Sequence, residues 1–291
     1  MRRARAFQAG PCFIAKEALV RPFALCADDF GLSAQVSHAV LEACAAGRVT
    51  AVSAMTAGAE WRTAAAMIRP YLDRIDVGLH LNLSEGSPLG AAPSLAPAGS
   101  FRPPGRLIGA ALAGALPLSE IGAEIGRQLD AFTAEIGRAP VFVDGHWHVH
   151  VLPGVRRALF GELERRNLSG RIWLRDSGDA VWRIAARRGA AAKALVVAAL
   201  AAGFSDEARR AGFQANDGFA GYSAFHPGAD LVRAFQSYLT APGPRHLVMC
   251  HPGFPHELSF LVSSQFVRLI EARRLRLAKM SDMMGLSAVA A

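Results

Sequence analysis

Four short stretches concentrate the side chains that can bind a metal or move a proton. They are ADDFG with Asp28 and Asp29, GLHLNL with His80, DGHWHVH with Asp144, His146, His148 and His150, and MCHPGF with His251. Carboxylates and imidazoles together suit Zn²⁺ and related first-row cations, and a catalytic site typically uses about three protein ligands and keeps a position open for water. One Asp and two His meet that count. Adjacent carboxylates do not both hold a charge readily unless a cation is near. A metal would let one of Asp28 and Asp29 bind while the other works as a base; the structural alternative is that one of them caps the following helix. A His80 standing alone would read as a hydrogen-bonded core group, but it shares its strand-end position with the other clusters. On an extended strand, residues two apart share a face, so His146, His148 and His150 would all look toward one pocket. The first and last would still lie about 13 Å apart at about 3.3 Å per residue, too far to ligate one ion. His146, nearest the strand end implied by Asp144–Gly145, is the expected ligand. His148 and His150 would orient it or meet substrate. Trp147 alternates with the His residues and is expected to pack between strand and helix, while His38, His226, His246 and His256 are expected to be structural or surface groups.

These clusters need a scaffold that brings them together, and the apolar pattern supplies one. Strands are expected at 23–27, 49–56, 76–83, from Val141 to His148, and at 172–176, 246–251 and 275–281. Helices are expected at 33–46 with Ser33 as N-cap, at 60–72, near 105–115, at 118–137, 153–167 and 260–273, and through 180–212. Strands alternating with helices imply a parallel sheet covered on both faces. The expected fold is α/β, a distorted or incomplete (β/α) barrel with parallel strands in a single domain. In such barrels the chemistry sits at the C-terminal ends of the strands, which is where the four clusters fall. Loops over the mouth would select the substrate, with Asn82, Arg175, Asp176, Asn216 and Asp217 as candidates.

The composition is compatible with one large core: 291 residues, 52% hydrophobic and 19% charged. No uncharged run approaches the roughly 20 residues of a membrane span. The basic N-terminus has no apolar h-region and reads as an extension over 1–21. The net charge of +8 is read as an Arg-rich surface, and no aromatic-interleaved motif points to nucleic acid. The four Cys are scattered and fit a reducing, cytoplasmic setting, with Cys26, Cys44 and Cys250 as small core residues. A homodimer is the default expectation for assembly.

The stretches ADDFGLS, GLHLNL, DGHWHVHVLP and VMCHPGF, in that order, resemble the YdjC-like carbohydrate deacetylases, also called the ChbG/HpnK family. RRAGFQANDGFAG (209–221) resembles a further segment of that family. The resemblance spans 22–285 and leaves 286–291 as a tail. It implies hydrolysis of an N-acetyl group on an amino sugar by a distorted barrel holding one divalent metal ion, Mg²⁺ or Zn²⁺. By motif, Asp29, His80 and His146 would be the ligands, Asp28 the general base and His251 the acid. This chain departs from the family in carrying Trp147 and an Ala-rich, basic 180–212. That stretch is expected to be a helical insertion packed on the barrel; the other reading is a lid or interfacial helix that meets a lipid-linked, hopanoid-type sugar at the inner membrane. The rivals are another barrel metal hydrolase (an HxH phosphoesterase or amidohydrolase, with two or three metals) and a non-catalytic sugar-binding protein.

Overall fold

In the computed structural model the described residues are 20–187, 191–223, 226 and 228–286; residues 1–19 of the expected extension, with Cys12, lie outside them, as does the tail beyond Leu286, while Arg21, expected in the extension, already belongs to the first strand. Nine strands form one sheet: β1 (Arg21–Phe30), β2 (Ala51–Ala54), β3 (Asp76–Leu81), β4 (Phe142–Gly145), β5 (Trp173–Leu174), β6 (Gln214–Ala215), β7 (Gly218–Ala220), β8 (His246–Cys250) and β9 (Leu275–Leu277). Their order is β6-β5-β4-β3-β2-β1-β8-β7, with β9 on β1, and every pairing is parallel. The two ends of that order, β6 and β7, are neighbours in the chain, joined through Asn216 and Asp217. Only a curled sheet can bring them together. The fold is therefore an incomplete parallel barrel, as the alternating pattern requires.

The helices are α1 (Ala34–Ala45), α2 (Trp61–Ile68), α3 (Pro104–Leu112), α4 (Leu118–Ile136), α5 (Val155–Arg165), α6 (Val181–Arg187), α7 (Ala191–Leu200), α8 (Phe204–Arg210), α9 (Leu231–Tyr238), α10 (Pro255–Val262), α11 (Ser264–Ala272) and α12 (Met280–Met284). Ser33 caps α1 by accepting from the Val36 N–H. The apolar stripe of α4, Ile121, Ile125, Leu129, Phe132 and Ile136, is wholly buried, and Gly137 ends the helix at φ 83°. The expected 260–273 helix is broken at Ser263, whose extended backbone and hydroxyl start α11. The expected 275–281 strand stops at Leu277, because Met280 and Ser281 turn into α12. The 180–212 stretch forms α6, α7 and α8.

Strand alternation sorts the side chains onto two faces. Phe23, Leu25 and Ala27 of β1 face the helical layer, while Ala24 and Cys26 join Phe142, Trp173, Phe219, Leu247 and Met249 inside the curl. Phe142 and Trp173 stack there with centroids 4.2 Å apart. Gly78 makes room for them: a Cβ on it would lie 2.4 Å from the Phe142 ring. Asp76 closes the base, accepting from both the backbone and the hydroxyl of Ser281 and from Trp173 Nε1. Asp28, Ser53, His80, Asp144 and Arg175 continue these inward rows toward the opposite, C-terminal end. Among the described residues no helix is long and apolar enough to cross a membrane.

Candidate metal centre and its pocket

The site assembles from the register. His80 on β3 sits directly beside Asp144 on β4. His80 Nδ1 lies 2.7 Å from Asp144 Oδ1, and Ser53 of β2 hydrogen-bonds to the same carboxylate. With Nδ1 held by Asp144, Nε2 of His80 faces Asp29 at the mouth, where a metal would take the place of its proton. Burial disfavours the His80 cation, but the Asp144 carboxylate and hydrogen bonds to Asp144 and Asp29 outweigh it and push the imidazole up to about 10. The pocket is thus strongly attractive to positive charge.

Asp29 reaches the same place by breaking the strand alternation. Its φ is 68°, and the β1–β2 register slips between Ala27 and Phe30. Non-glycine residues rarely adopt that region. In regular strand geometry Asp29 would face away from Asp28's side of the sheet. The irregularity lets both adjacent carboxylates line one pocket. Asp29 Oδ1 lies 2.9 Å from His146 Nδ1 and 3.3 Å from His80 Nε2. Burial would raise the Asp29 carboxyl; hydrogen bonds from His146 and His80 prevail and hold it well below the usual range.

The HxHxH segment is not a strand. β4 ends at Gly145, and 146–151 form a 3₁₀ turn with Trp147 (φ 54°, ψ 21°) and His148 (φ 59°, ψ 26°) in left-handed conformation. The three His therefore do not share one face. His146 points to Asp29. His148 lines the pocket wall, edge-on to Tyr222 and Phe219. His150 is fully buried with Nε2 donating to the Arg175 carbonyl oxygen. Burial and the neighbouring Arg175 hold His148 well below its usual pKa. Burial likewise brings His150 down to about 4, although Asp144 opposes it. Trp147 does not pack between strand and helix as its alternation suggested. The left-handed turn throws its indole outward, and the residue is 56% exposed on the pocket rim.

Arg175 lies beneath the pocket, fully buried, and does not reach the mouth as a substrate reader. Trp173 and Arg175 share a face, so its side chain runs inward. It donates to both oxygens of Asp28 at 2.6 and 2.7 Å and meets Asp144 Oδ2 at 2.5 Å. Burial disfavours its charge, but Asp144 and Asp28 raise its pKa further. The other candidates for sugar selection stand off the pocket as well. Asn82 shapes the turn at 82–85, bonding the backbone of Ser84 and Glu85. Asn216 stitches the sheet ends, bridging Asp176 and the Gly218 carbonyl. Asp176 accepts from Ser205 and Gly178, and Asp217 pairs with Arg245.

Two participants carry little sequence signal. Ser53 is the one polar residue of β2, a period-two position that could have marked it. Glu85, on the turn that Asn82 shapes, puts Oε2 2.9 Å from His146 Nε2; only its place five residues after His80 hinted at it.

Asp28, Asp29, His80, Gly145, His146, Trp147, His148, Lys193, Met249, His251 and Phe254 line one cavity of about 220 Å³. His251 Nε2 lies 3.9 Å from Asp29 Oδ2, and its backbone N–H is held by Glu257. The ligand atoms of Asp29, His80 and His146 all fall within 4.8 Å of one another. Asp28 and Asp144 share one guanidinium, while Asp29 stands outside that pairing with His80 and His146. The convergent donors of Asp29, His80 and His146 fit a divalent cation.

The curled sheet and its mouth cluster define an α/β protein with a candidate site at the strand ends. The model of the YdjC-like protein family matches residues 23–276. The human carbohydrate deacetylase is 35% identical over 244 residues, covering 79% of this chain and 74% of its own length. The chitooligosaccharide deacetylase of Klebsiella pneumoniae is 33% identical over 233 residues, covering 78% of this chain and 80% of its own. Among solved structures, a candidate cellobiose-phosphate cleavage protein from Enterococcus faecalis shares the fold with a TM-score of 0.64 at 19% identity, over 90% of this chain and 98% of that one. The chain belongs to the YdjC-like family, the family of the carbohydrate deacetylases just named.

Proposed function

We propose that the protein hydrolyses the N-acetyl group of an amino sugar, with Asp29, His80 and His146 holding one divalent ion. The observation that carries this reading is the convergence of these three side chains beside Asp28 and His251 in one cavity. When bound, such an ion would polarise the acetyl carbonyl and lower the pKa of a water toward neutrality. Asp28 takes a proton from the attacking water. Its carboxylate is fixed by Arg175, and each oxygen keeps a further lone pair for that proton. His251, across the same cavity, protonates the departing nitrogen, a task suited to an imidazole near neutral pH. One C–O bond forms, the C–N bond breaks, and acetate and the free amine leave.

The donor set also supports one ion rather than two. Cys26, Asp28 and Asp144 form a second cluster of potential ligands, but the Arg175 guanidinium already bridges the two carboxylates. This disfavours the multi-metal barrel hydrolases. The test is acetate release from a panel of N-acetylated amino sugars, with and without Mg²⁺ or Zn²⁺, against a His146→Ala control. Metal-dependent release that the control lacks is the expected result. A metal-to-protein ratio near two, with no acetate from any sugar, would overturn the reading.

A further inference from the structure

Resting on the deacetylase reading, we infer that Trp147 is a stacking platform for a sugar ring of the substrate and sets which saccharide the pocket accepts. The indole stands at the cavity rim because two consecutive non-glycine residues, Trp147 and His148, adopt left-handed backbone. Such residues are strained and persist only where the surroundings demand it. The turn has two outputs. His148 goes into the wall, and Trp147 goes outward, where it is largely exposed yet still lines the cavity. On the same rim stands Phe254, 38% exposed, beside His251. Two accessible aromatic side chains therefore border one polar floor.

A pyranose has an apolar C–H face and a polar edge. An indole covers the first, and hydrogen-bonding groups must meet the second. Both are present. Lys193 of α7 lines the cavity with Nζ 6.0 Å from the Trp147 ring centroid, within cation–π range. His148 lines the same wall, edge-on to Tyr222 and Phe219. The cavity, about 220 Å³, is smaller than the roughly 300–1,000 Å³ that encloses a drug-sized ligand. Saccharide beyond the reacting residue would extend over the rim that Trp147 forms.

The experiment measures binding directly. N,N′-diacetylchitobiose and N-acetylglucosamine are titrated calorimetrically into wild type, Trp147→Ala, Trp147→Phe and Trp182→Ala, and acetate release is followed in parallel. Zn²⁺ affinity of each variant checks that His146, whose ring meets the indole edge-on, keeps its place. Trp147→Ala is expected to weaken diacetylchitobiose binding about tenfold, the loss of roughly 50–60 Å² of apolar contact at about 25 cal/mol per Å². Trp147→Phe should recover most of this, and Trp182→Ala, exposed elsewhere on α6, should match wild type. Wild-type affinity in Trp147→Ala with Zn²⁺ binding intact would overturn the platform and leave the deacetylase reading standing. Binding that depends on Trp147 with no acetate released would do the reverse. No binding of either sugar to the wild type would overturn the platform.

Discussion

Replacing Asp144 with Asn tests whether the charge network beneath the pocket positions His80 for a metal. Asp144 is fully buried and engages three partners: His80 Nδ1 at 2.7 Å, Ser53 Oγ, and Arg175 Nη2 at 2.5 Å. Asn keeps the shape and one acceptor but removes the charge. Arg175 retains its bidentate contact with Asp28, so the guanidinium is not abandoned. The stability loss should stay near the 1.5–3 kcal/mol typical of a hydrogen bond to a charged group, below the roughly 3–5 kcal/mol of an orphaned buried ion. The metal should suffer separately. Loss of a carboxylate behind a ligating imidazole typically costs about 10–100-fold in affinity, or about 1.4–2.8 kcal/mol. The assay is Zn²⁺ titration against a chelator of known affinity, on protein whose near-UV circular dichroism is native. Asp144→Asn should bind 10–100-fold more weakly, whereas His146→Ala should lose binding more fully. A folded Asp144→Asn variant with wild-type Zn²⁺ affinity would refute the reasoning, because His80 would then need no fixed tautomer.

Other consequences are as specific. Asp28→Asn should lower turnover by about 10²–10⁴-fold, the usual worth of a general base, with metal content unchanged; wild-type turnover would remove Asp28 from that role. His246, buried and hydrogen-bonded to the Tyr238 carbonyl, is brought down to about 4 by burial and then by Arg187. The unfolded chain, with an imidazole near 6.5, therefore takes up the proton first. Stability is full above pH 6.5 and falls as pH drops through 6.5 toward about 4, by about 3 kcal/mol in total. Urea denaturation of His246→Gln across that window should lack this share of the loss; a difference from wild type that is the same at every pH would count against it. Gly78→Ala should cost about 1–3 kcal/mol through its clash with the Phe142 ring, and adding Phe142→Leu should restore part of it.

The places of the candidate site residues were readable because strand ends are readable. An apolar run followed by Asp or His places Asp28, His80, Asp144 and His251 at one end of a parallel sheet before any register is known, and the curl then brings them to one cavity. The directions of the side chains were less readable, for two physical reasons. Alternation in HWHVH has the period of a strand, so the sequence suggested three imidazoles on one face. The backbone instead leaves the strand at Gly145 and spends two left-handed residues turning His146, Trp147 and His148 three different ways. Asp29 departs from the pattern in the same manner. The second reason is reach. Arg175 follows β5, and a strand-end position alone suggested the mouth. Counting from Trp173 turns it inward, where its length spans from Asp28 to Asp144. Two buried carboxylates require a cation, and the chain supplies its own between them while leaving Asp29 outside that pairing. Arg175 thus separates the two adjacent aspartates electrostatically: Asp28 is paired from within, and Asp29, with His80 and His146, faces the pocket.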